Sequence, residues 1–452
     1  MQPVTGIYRQ RRPETTALYR IVAENLDLFY EVYDERFLEQ HGPLPAYARH
    51  ALEAYLRCGR ALFGFARIRC QSCGDEMLLP FSCQRVGLCP SCQQKRAEVL
   101  QRFLTDQVIE PVPHRQLVFV LPRRLRSSFY RDAKLLRGLC QAAAQATVDF
   151  YSAGLARDDI KVGLVVMPQF FGDKVNPHVH LHCLCTDGAF DTEGAFHRLP
   201  IDANHDVEVL CKLFEKKVLD LLVKHERLSQ TFRDEMLTWK HTGFSVDASV
   251  KLMTGDWGKL GRLVRYMARP PVSVERIDYA ASSGKVTLRS AKKKAGLAPV
   301  VATYDALMFI ALLALQVPPP GTHMTRYFGW YSSVSRSRRG VIKREQAPAA
   351  PAEVPPPPVA ARRRAWATVL RQVFEVDPLI CEKCGSAMRI VAVITTSQQD
   401  VIDRILTHLG ISTELPKATG PPRWLQILQA QEHEEMYRDW YPDEEGDRDW
   451  AA

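Results

Sequence analysis

The chain has 452 residues, of which 46% are hydrophobic, and its 60 Lys and Arg against 51 Asp and Glu give a net charge of +9. This length exceeds one ordinary domain, and the apolar content is that of a globular protein, which excludes a disordered chain and predicts two or three domains. The apolar run Ala306 to Leu315 is too short to cross a bilayer, so a membrane-spanning protein is excluded as well.

The N-terminal part contains two Cys-x-x-Cys pairs with fifteen residues between them, a spacing typical of structural zinc sites. The pairs are Cys70 with Cys73 and Cys89 with Cys92. We expect these four thiolates to bind one structural Zn²⁺ in a helical, DNA-binding domain over residues 1–112. Cys58 and Cys83 either complete a second metal site or pack as small apolar residues. No secretory signal opens the chain, so disulfides are not expected.

The following stretch alternates predicted strands and helices. In chain order we expect a strand over 116–121, a helix over 130–151, strands near 161–171 and 178–186, and helices near 206–226 and 257–268. This order predicts an α+β fold in which an antiparallel sheet has its helices on one face.

Three histidines alternate along the strand near 178–186. The side chains of His178, His180 and His182 should point to one face of the sheet, while Val179 and Leu181 face the core. Neutral imidazole binds divalent metals, and several imidazoles on one rigid strand form a partial site. A metal-binding or catalytic role is therefore favoured over three histidines on a half-exposed strand.

A tyrosine lies on the arginine-rich helix near its end at Pro270. Arg262, Arg265 and Arg269 occupy one helical stripe, and Tyr266 is one step from it. Arginine guanidinium groups match phosphate oxygens, so phosphate chemistry at Tyr266 is one interpretation. A tyrosine that only packs on an amphipathic helix is the other.

The C-terminal part begins with a Pro- and Ala-rich linker over 341–365, followed by a segment over 366–452. That segment contains the pair Cys381 and Cys384, for which His408 is a candidate third ligand. An incomplete site is the alternative.

Basic and aromatic residues indicate a nucleic-acid partner. Several basic runs occur in the chain, among them Arg123–Arg126 and Arg336–Arg339. The aromatic run Phe328–Tyr331 lies near Arg326 and Arg336, and stacking on unpaired bases is one interpretation of it, while packing in the core is the other.

These motifs, in this order, resemble the HUH single-strand endonucleases, and most closely the rolling-circle insertion-sequence transposases with an N-terminal zinc-binding domain. The resemblance extends over nearly the whole chain. It rests on Gln169–Gly172, the histidines with Asp187 and Gly188, Arg265–Pro271, His323–Gly329 and Cys381–Gly385. The resemblance implies a catalytic domain over 113–340 with an HUH core. It also implies single-stranded DNA at transposon ends and target as the partner, and a place in the bacterial cytoplasm, at the nucleoid.

The resemblance also selects the site residues. In the family pattern the second histidine lies five residues before the Asp-Gly turn, which selects His180 and His182 and leaves His178 as a neighbour or spare ligand. Family members have one or two tyrosines four residues apart. The position four residues before Tyr266 is Arg262, so the chain resembles a single-tyrosine member.

The implied reaction is transfer of a DNA strand. A Mg²⁺ or Mn²⁺ held by His180 and His182 would polarise the scissile phosphate, with Arg265 and Arg269 beside it. Tyr266 would attack in line, release a 3′-hydroxyl and keep the 5′-phosphate as a phosphotyrosine. The ester conserves bond energy, so a later 3′-hydroxyl can reverse the step and join strands.

Gln169 is the candidate third ligand, because Mg²⁺ prefers oxygen. A hairpin through residues 172–176 would bring its amide oxygen beside the histidines. A glutamine bonded to the backbone is the alternative, and Asp173 and Asp187 are weaker candidates.

Two other function classes remain open. One is a catalytically inactive, zinc-containing DNA-binding protein. The other is a zinc-dependent hydrolase, although the His-Glu-x-x-His motif of common zinc proteases is absent around these histidines.

Overall fold

The structure is a computed structural model that describes residues 12–201, 206–290, 301–340, 380–381 and 383–412. The predicted linker over 341–365 lies outside the described residues. Helices and antiparallel strands are mixed along the chain, which confirms the α+β class. Among the described residues, no helix combines the length and the apolar character needed to cross a membrane.

The elements are numbered in chain order. The helices are α1 (Ala17–His41), α2 (Ala46–Arg57), α3 (Pro90–Gln107), α4 (Arg123–Tyr130), α5 (Ala133–Leu155), α6 (Asp206–Lys224), α7 (Gln230–Thr238), α8 (Trp257–Met267), α9 (Ala306–Leu315), α10 (Ser333–Arg338) and α11 (Gln399–His408). The strands are β1 (Phe65–Cys70), β2 (Glu76–Pro80), β3 (His114–Val120), β4 (Gly163–Phe171), β5 (Pro177–Thr186), β6 (Gly188–Phe190), β7 (Phe196–Arg198), β8 (Ser245–Asp247), β9 (Lys251–Leu252), β10 (Ile277–Ala280), β11 (Lys285–Arg289), β12 (Val301–Asp305), β13 (Arg326–Gly329) and β14 (Met388–Ile394).

The described residues form two compact units, each of which is discontinuous in sequence. The first unit comprises those within Met1–Val99, Pro270–Val317 and Pro348–Tyr437, and the second those within Leu100–Arg269 and Pro318–Ala347. The units therefore cross the domain boundaries that we predict from the sequence, because the described residues within 270–317 belong to the first unit.

Helix α9 shows why residues 270–317 belong to the first unit. Every residue from Ala306 to Ala314 is buried, and a helix that is apolar all round must be covered on every side. It is covered by α1, α2, β11 and β12. Asp305 accepts hydrogen bonds from the backbone N–H groups of Leu307 and Met308, and Arg36 on α1 donates to both of its carboxylate oxygens at 2.9 and 2.7 Å.

A small antiparallel sheet in the first unit joins residues that are distant in sequence. Its strand order is β14-β1-β2, so the C-terminal strand β14 pairs with one edge of β1. The register runs from Phe65 opposite Ile394 to Cys70 opposite Met388. The turns that follow β1 and precede β14 therefore lie side by side.

The main sheet of the second unit is antiparallel with the order β13-β4-β5-β3-β8, and β9 also pairs with β3. Alternate residues of each strand point to opposite faces. One face, with Phe119, Val166 and Leu181, packs against α5 and α6. The other face, with Met167 and Leu184, packs against α3 and α8.

The prediction that helices cover one face of the sheet is therefore wrong. The apolar stripe of α8 (Leu260, Leu263, Val264 and Met267) is buried against the second face. The predicted helix over 130–151 corresponds to α5, Ala133–Leu155, which begins three residues later than predicted. Helix α4 ends at Tyr130, and Asp132 starts α5 by accepting hydrogen bonds from the backbone N–H groups of Lys134 and Leu135.

Candidate active site and metal centres

The three histidines form a buried row on the central strand β5, on the face that α8 covers. His180 lies opposite Gln169 on β4 and Val120 on β3. His178, His180 and His182 are all less than 10% exposed. The alternation of the strand explains the row, because the intervening Val179 and Leu181 point into the opposite core.

Hydrogen bonds fix the orientation of the imidazoles. The Nδ1 atom of His180 lies 2.9 Å from the carbonyl oxygen of His178. Because a carbonyl only accepts, Nδ1 carries the proton and Nε2 keeps its lone pair. The Nε2 atoms of His180 and His182 are 3.1 Å apart, and Nδ1 of His182 lies 2.8 Å from Nε2 of Gln116.

The electrostatic environment keeps the imidazoles neutral. Burial, together with the positive charges of Arg269 and Arg126, lowers the pKa of His180 to about 4. Burial is also the main cause that lowers the pKa of His178 to about 2 and that of His182 well below its ordinary value. Neutral imidazole is the form that binds metals.

Tyr266 lies on the last turn of α8 and is 43% exposed. Its ring is packed edge-on against His182, with the ring centroids 5.6 Å apart and the planes at 80°. The buried stripe of α8 places the tyrosine there, because it holds the helix against the histidine face. The structure therefore brings the tyrosine and the histidines together.

The two arginines that we predict to be catalytic have different contacts. The guanidinium carbon of Arg269 lies 4.7 Å from the ring centroid of Tyr266 and 5.6 Å from that of Phe171. Arg265 instead donates from Nη1 to the side-chain oxygen of Gln101 at 3.2 Å. Arg269 is thus the arginine that contacts the tyrosine.

Gln169 is buried, and its two polar ends have different surroundings. Its amide nitrogen donates to the backbone carbonyl of Met267 at 2.7 Å, at the end of α8. Its amide oxygen is buried without a hydrogen-bond partner. Of the weaker candidates, Asp187 is bonded to Nε of Arg115 at 2.9 Å, while Asp173 lies in the turn between β4 and β5.

These donors fit a divalent cation. Two ligands at right angles around an ion, with bonds of about 2.1 Å, are about 3 Å apart, which matches the separation of the two Nε2 atoms, 3.1 Å. The unpartnered oxygen of Gln169 supplies the kind of ligand that Mg²⁺ and Mn²⁺ prefer.

Eight of the 12 cysteines form two clusters of four, and this grouping corrects the prediction. In the first cluster, three Sγ–Sγ distances of 3.7 Å link Cys58, Cys83, Cys89 and Cys92. Cys58 caps the end of α2 and Cys92 lies in the first turn of α3. A tetrahedral Zn–S₄ site with bonds of about 2.3 Å has S–S edges of about 3.8 Å.

The pair Cys70 and Cys73 therefore does not join Cys89 and Cys92 in one site. It lies instead with Cys381 and Cys384 in a second cluster. The physical reason is the pairing of β1 with β14, which brings the two cysteine turns side by side. The prediction of His408 as a ligand is also wrong, since His408 belongs to neither cluster.

Comparison with known proteins finds two family models that match different parts of the chain. A family model described as "Putative transposase" matches residues 163–338, and one described as "Transposase zinc-binding domain" matches residues 29–121. These matches identify a transposase with a zinc-binding domain, and the chain is similar to the insertion-sequence transposases.

Two relatives agree with this assignment. The transposase is 26% identical to "Putative transposase y4qJ" of Sinorhizobium fredii (strain NBRC 101917 / NGR234), over 70% of this chain and 82% of the relative. It is 24% identical to "Transposase for insertion sequence element IS801" of Pseudomonas savastanoi pv. phaseolicola, over 75% of this chain and 82% of the relative. No solved structure matches the transposase.

Two further residues near the histidines, Gln116 and Arg126, are not recognisable as site residues from the sequence. Gln116 is buried beside His182, and the alternation of its own strand does not show which strand lies beside it. Arg126 belongs to a basic run noted in the sequence, yet it is buried, and its charge acts on His178 and His180.

The interpretation that the run Phe328–Tyr331 stacks on bases is wrong for its last two residues. Trp330 is stacked on Phe190 with the ring centroids 4.2 Å apart, and Tyr331 is fully buried. The hydroxyl of Tyr331 lies 2.6 Å from Nε2 of His114. These two aromatic residues belong to the core of the transposase.

Proposed function

We propose that this transposase cuts and rejoins single strands of DNA through a covalent bond between Tyr266 and a 5′-phosphate, in rolling-circle-like transposition. The observation that carries the proposal is the edge-on contact between an exposed tyrosine and a buried histidine, His182. The nucleophile and the candidate metal ligands are thus close enough to act on one phosphodiester.

The chemical step is a transesterification that needs no oxidant or reductant. The phenolic oxygen of Tyr266 forms a bond to phosphorus, and the bond from phosphorus to the 3′ oxygen breaks. The phenol loses its proton, and the released 3′ oxygen gains one. Attack by a 3′-hydroxyl on the phosphotyrosine reverses the step, which allows the strand to be joined elsewhere.

The histidine row would hold the cation. Nε2 of His180, Nε2 of His182 and the amide oxygen of Gln169 are the atoms that would bind Mg²⁺ or Mn²⁺. When bound, such an ion stabilises negative charge on the phosphate oxygens. Gln169 has a second task, since its amide nitrogen ties the sheet to the end of α8 at Met267.

Two arginines make the site positive. The guanidinium of Arg269 lies over the Tyr266 ring, and the charges of Arg269 and Arg126 both reach His180. Positive charge favours a bound phosphate and the additional charge of its transition state. Arg269 also restrains the tyrosine ring, because a cation over an aromatic face is attracted to it.

Gln116 acts as a positioning residue for His182. An amide can present its nitrogen or, after a half turn, its oxygen at the same place. With the oxygen toward His182, the amide accepts the Nδ1 proton and leaves Nε2 with a lone pair for the metal. Such partners typically change metal affinity 10–100-fold.

The experiment uses a library of random-sequence single-stranded oligonucleotides whose linkages carry sulfur in place of the 3′ oxygen. A 3′-thiol is a poor nucleophile for the reverse step, so the covalent protein–DNA product accumulates. With Mn²⁺ present we expect a product from the wild type, none from Tyr266→Phe, and a normal yield from the matched control Tyr30→Phe.

The other function classes predict different results. A DNA-binding protein without catalytic activity would retain the oligonucleotides but give no covalent product in any sample. A hydrolase would cut the DNA without a covalent product, and Tyr266→Phe would cut as well as the wild type.

A further inference from the structure

We infer that the second cysteine cluster, Cys70, Cys73, Cys381 and Cys384, binds a zinc ion of its own, so that the transposase holds two structural zinc ions. The four residues lie close enough to share one ion. The Sγ atoms of Cys70 and Cys384 are 3.5 Å apart, and so are those of Cys73 and Cys381. These distances are near the S–S edge of a zinc–thiolate tetrahedron, about 3.8 Å.

The described residues of the two halves make matching backbone hydrogen bonds. Each half is a Cys-x-x-Cys-Gly turn, and these bonds involve its first cysteine and its glycine. The N–H of the first cysteine donates to the carbonyl five residues later, in Cys70 to Asp75 at 2.7 Å and in Cys381 to Ser386 at 2.8 Å. The N–H of the glycine donates to the backbone carbonyl of the first cysteine, at 3.2 Å for Gly74 and at 2.9 Å for Gly385.

The glycines are required by these turns. Gly74 has φ +76° and Gly385 has φ +69°, a conformation that other residues adopt at a cost. In the pair Cys89 and Cys92, the second cysteine is followed by Gln93 and not by a glycine. The two turns that share the cluster therefore have the same sequence pattern, Cys-x-x-Cys-Gly. This pattern identifies them as partners, whereas their separation along the chain does not.

Contacts around the cluster favour thiolates bound to a metal. The backbone N–H of Cys73 donates to Sγ of Cys70 at 3.5 Å, which supports negative charge on sulfur. Lys383 in one turn pairs with Asp75 in the other, with Nζ and Oδ1 2.6 Å apart. Cys70 and Cys381 are 1% exposed, while Cys73 and Cys384 are exposed.

Such an ion would fasten the C-terminal β14 to the N-terminal sheet. The ligands come from turns 308 residues apart in the case of Cys73 and Cys381. In small zinc domains, the free energy of binding a structural zinc ion stabilises the folded state directly. The inference does not depend on the proposed DNA chemistry, because neither Tyr266 nor the histidines belong to this cluster.

The test measures zinc per chain by elemental mass spectrometry on the purified full chain. The parent is His180→Ala/His182→Ala, so that the candidate catalytic centre contributes no zinc. We expect two zinc ions per chain in the parent and one after Cys73→Ser/Cys384→Ser. Both of these side chains are exposed, so their replacement removes ligands with little loss of packing. Cys211→Ser, outside both clusters, is the matched control and should keep two.

X-ray absorption of the parent should give four sulfur neighbours per zinc at about 2.3 Å. One zinc ion in the parent, or two in Cys73→Ser/Cys384→Ser, would overturn the inference. It would also be overturned if the denatured chain, after zinc removal, showed fewer free thiols than its 12 cysteines, because the cluster would then hold disulfides.

Discussion

The orientation of each buried imidazole follows from what its two nitrogen atoms contact. The carbonyl beside Nδ1 of His180 leaves Nε2 open toward His182. Alternation along the strand predicts that these side chains share a face. The sequence cannot show that Gln116 lies beside them, because a strand's pattern does not specify its neighbour. It cannot show either that Arg269, and not Arg265, contacts Tyr266.

Gln116 provides a test of positioning at the scale of one residue. We expect Gln116→Leu to weaken Mn²⁺ binding by about 10–100-fold, because Nδ1 of His182 loses its partner. Gln116→Glu should restore binding, since a carboxylate also accepts the Nδ1 proton. Calorimetric titration of Mn²⁺ into each variant measures the effect. Equal affinity of Gln116→Leu and the wild type would show that the contact does not orient the ligand.

Because His114 is buried, we expect the free energy of unfolding to depend on pH. Its Nδ1 lies 2.7 Å from the carbonyl of Val112 and its Nε2 lies 2.6 Å from the hydroxyl of Tyr331. Burial lowers the pKa of His114 to about 4. The unfolded chain therefore binds a proton below about pH 6.5, whereas the folded chain does so only near pH 4. The free energy of unfolding therefore decreases as the pH falls from about 6.5 to about 4.

We expect the free energy of unfolding to fall between pH 7 and pH 5, with about 2 kcal/mol of the loss due to His114. His114→Gln should reduce the loss by that amount, since glutamine is uncharged throughout. Urea unfolding at the two pH values measures it. An unchanged pH dependence in the variant would contradict the assigned cause.

Helix α8 is the element that carries the nucleophile. Its amphipathic pattern and the prolines after it predict the helix and its end, and the structure has Trp257–Met267. The pattern shows that one stripe of the helix is buried but not what covers it. Because the pattern of a helix does not show what covers its buried stripe, the sequence pattern predicts helices on one face of the sheet, whereas they lie on both.

A substitution in the buried stripe tests how α8 is held. Met267 is 2% exposed, and we expect Met267→Ala to lower the free energy of unfolding by about 2–5 kcal/mol, because it leaves a cavity against the sheet. Arg262→Ala, at an exposed position of the same helix, should change it by less than about 0.5 kcal/mol. Urea unfolding of both variants gives the comparison. Equal effects would mean that the stripe does not anchor the helix.

At the scale of the whole molecule, residues far apart in sequence meet in the first unit. Cys-x-x-Cys spacing predicts zinc ligands, but it cannot show which pairs share an ion. The answer depends on the pairing of β1 with β14, which joins residues about 320 positions apart. The apolar run that forms α9 is evident in the sequence, but its packing against α1 is another long-range contact.

Cleavage of the chain between β1 and β14 tests whether the second cluster holds the two strands together. A protease site inserted in the Pro- and Ala-rich stretch 346–361 would separate the chain into two fragments. We expect the fragments to elute together from a gel-filtration column, and to separate after zinc chelation or in Cys73→Ser/Cys384→Ser. Cys211→Ser should behave like the wild type. Separation of the zinc-loaded wild-type fragments would contradict the role given to the second cluster.

The most direct test of the account is mass spectrometry of the peptides from the trapped protein–DNA product. We expect a nucleotide bound through its 5′-phosphate to the peptide that contains Tyr266, and a free 3′-thiol on the released strand. An adduct on another residue, or one joined through a 3′-phosphate, would contradict the proposed reaction.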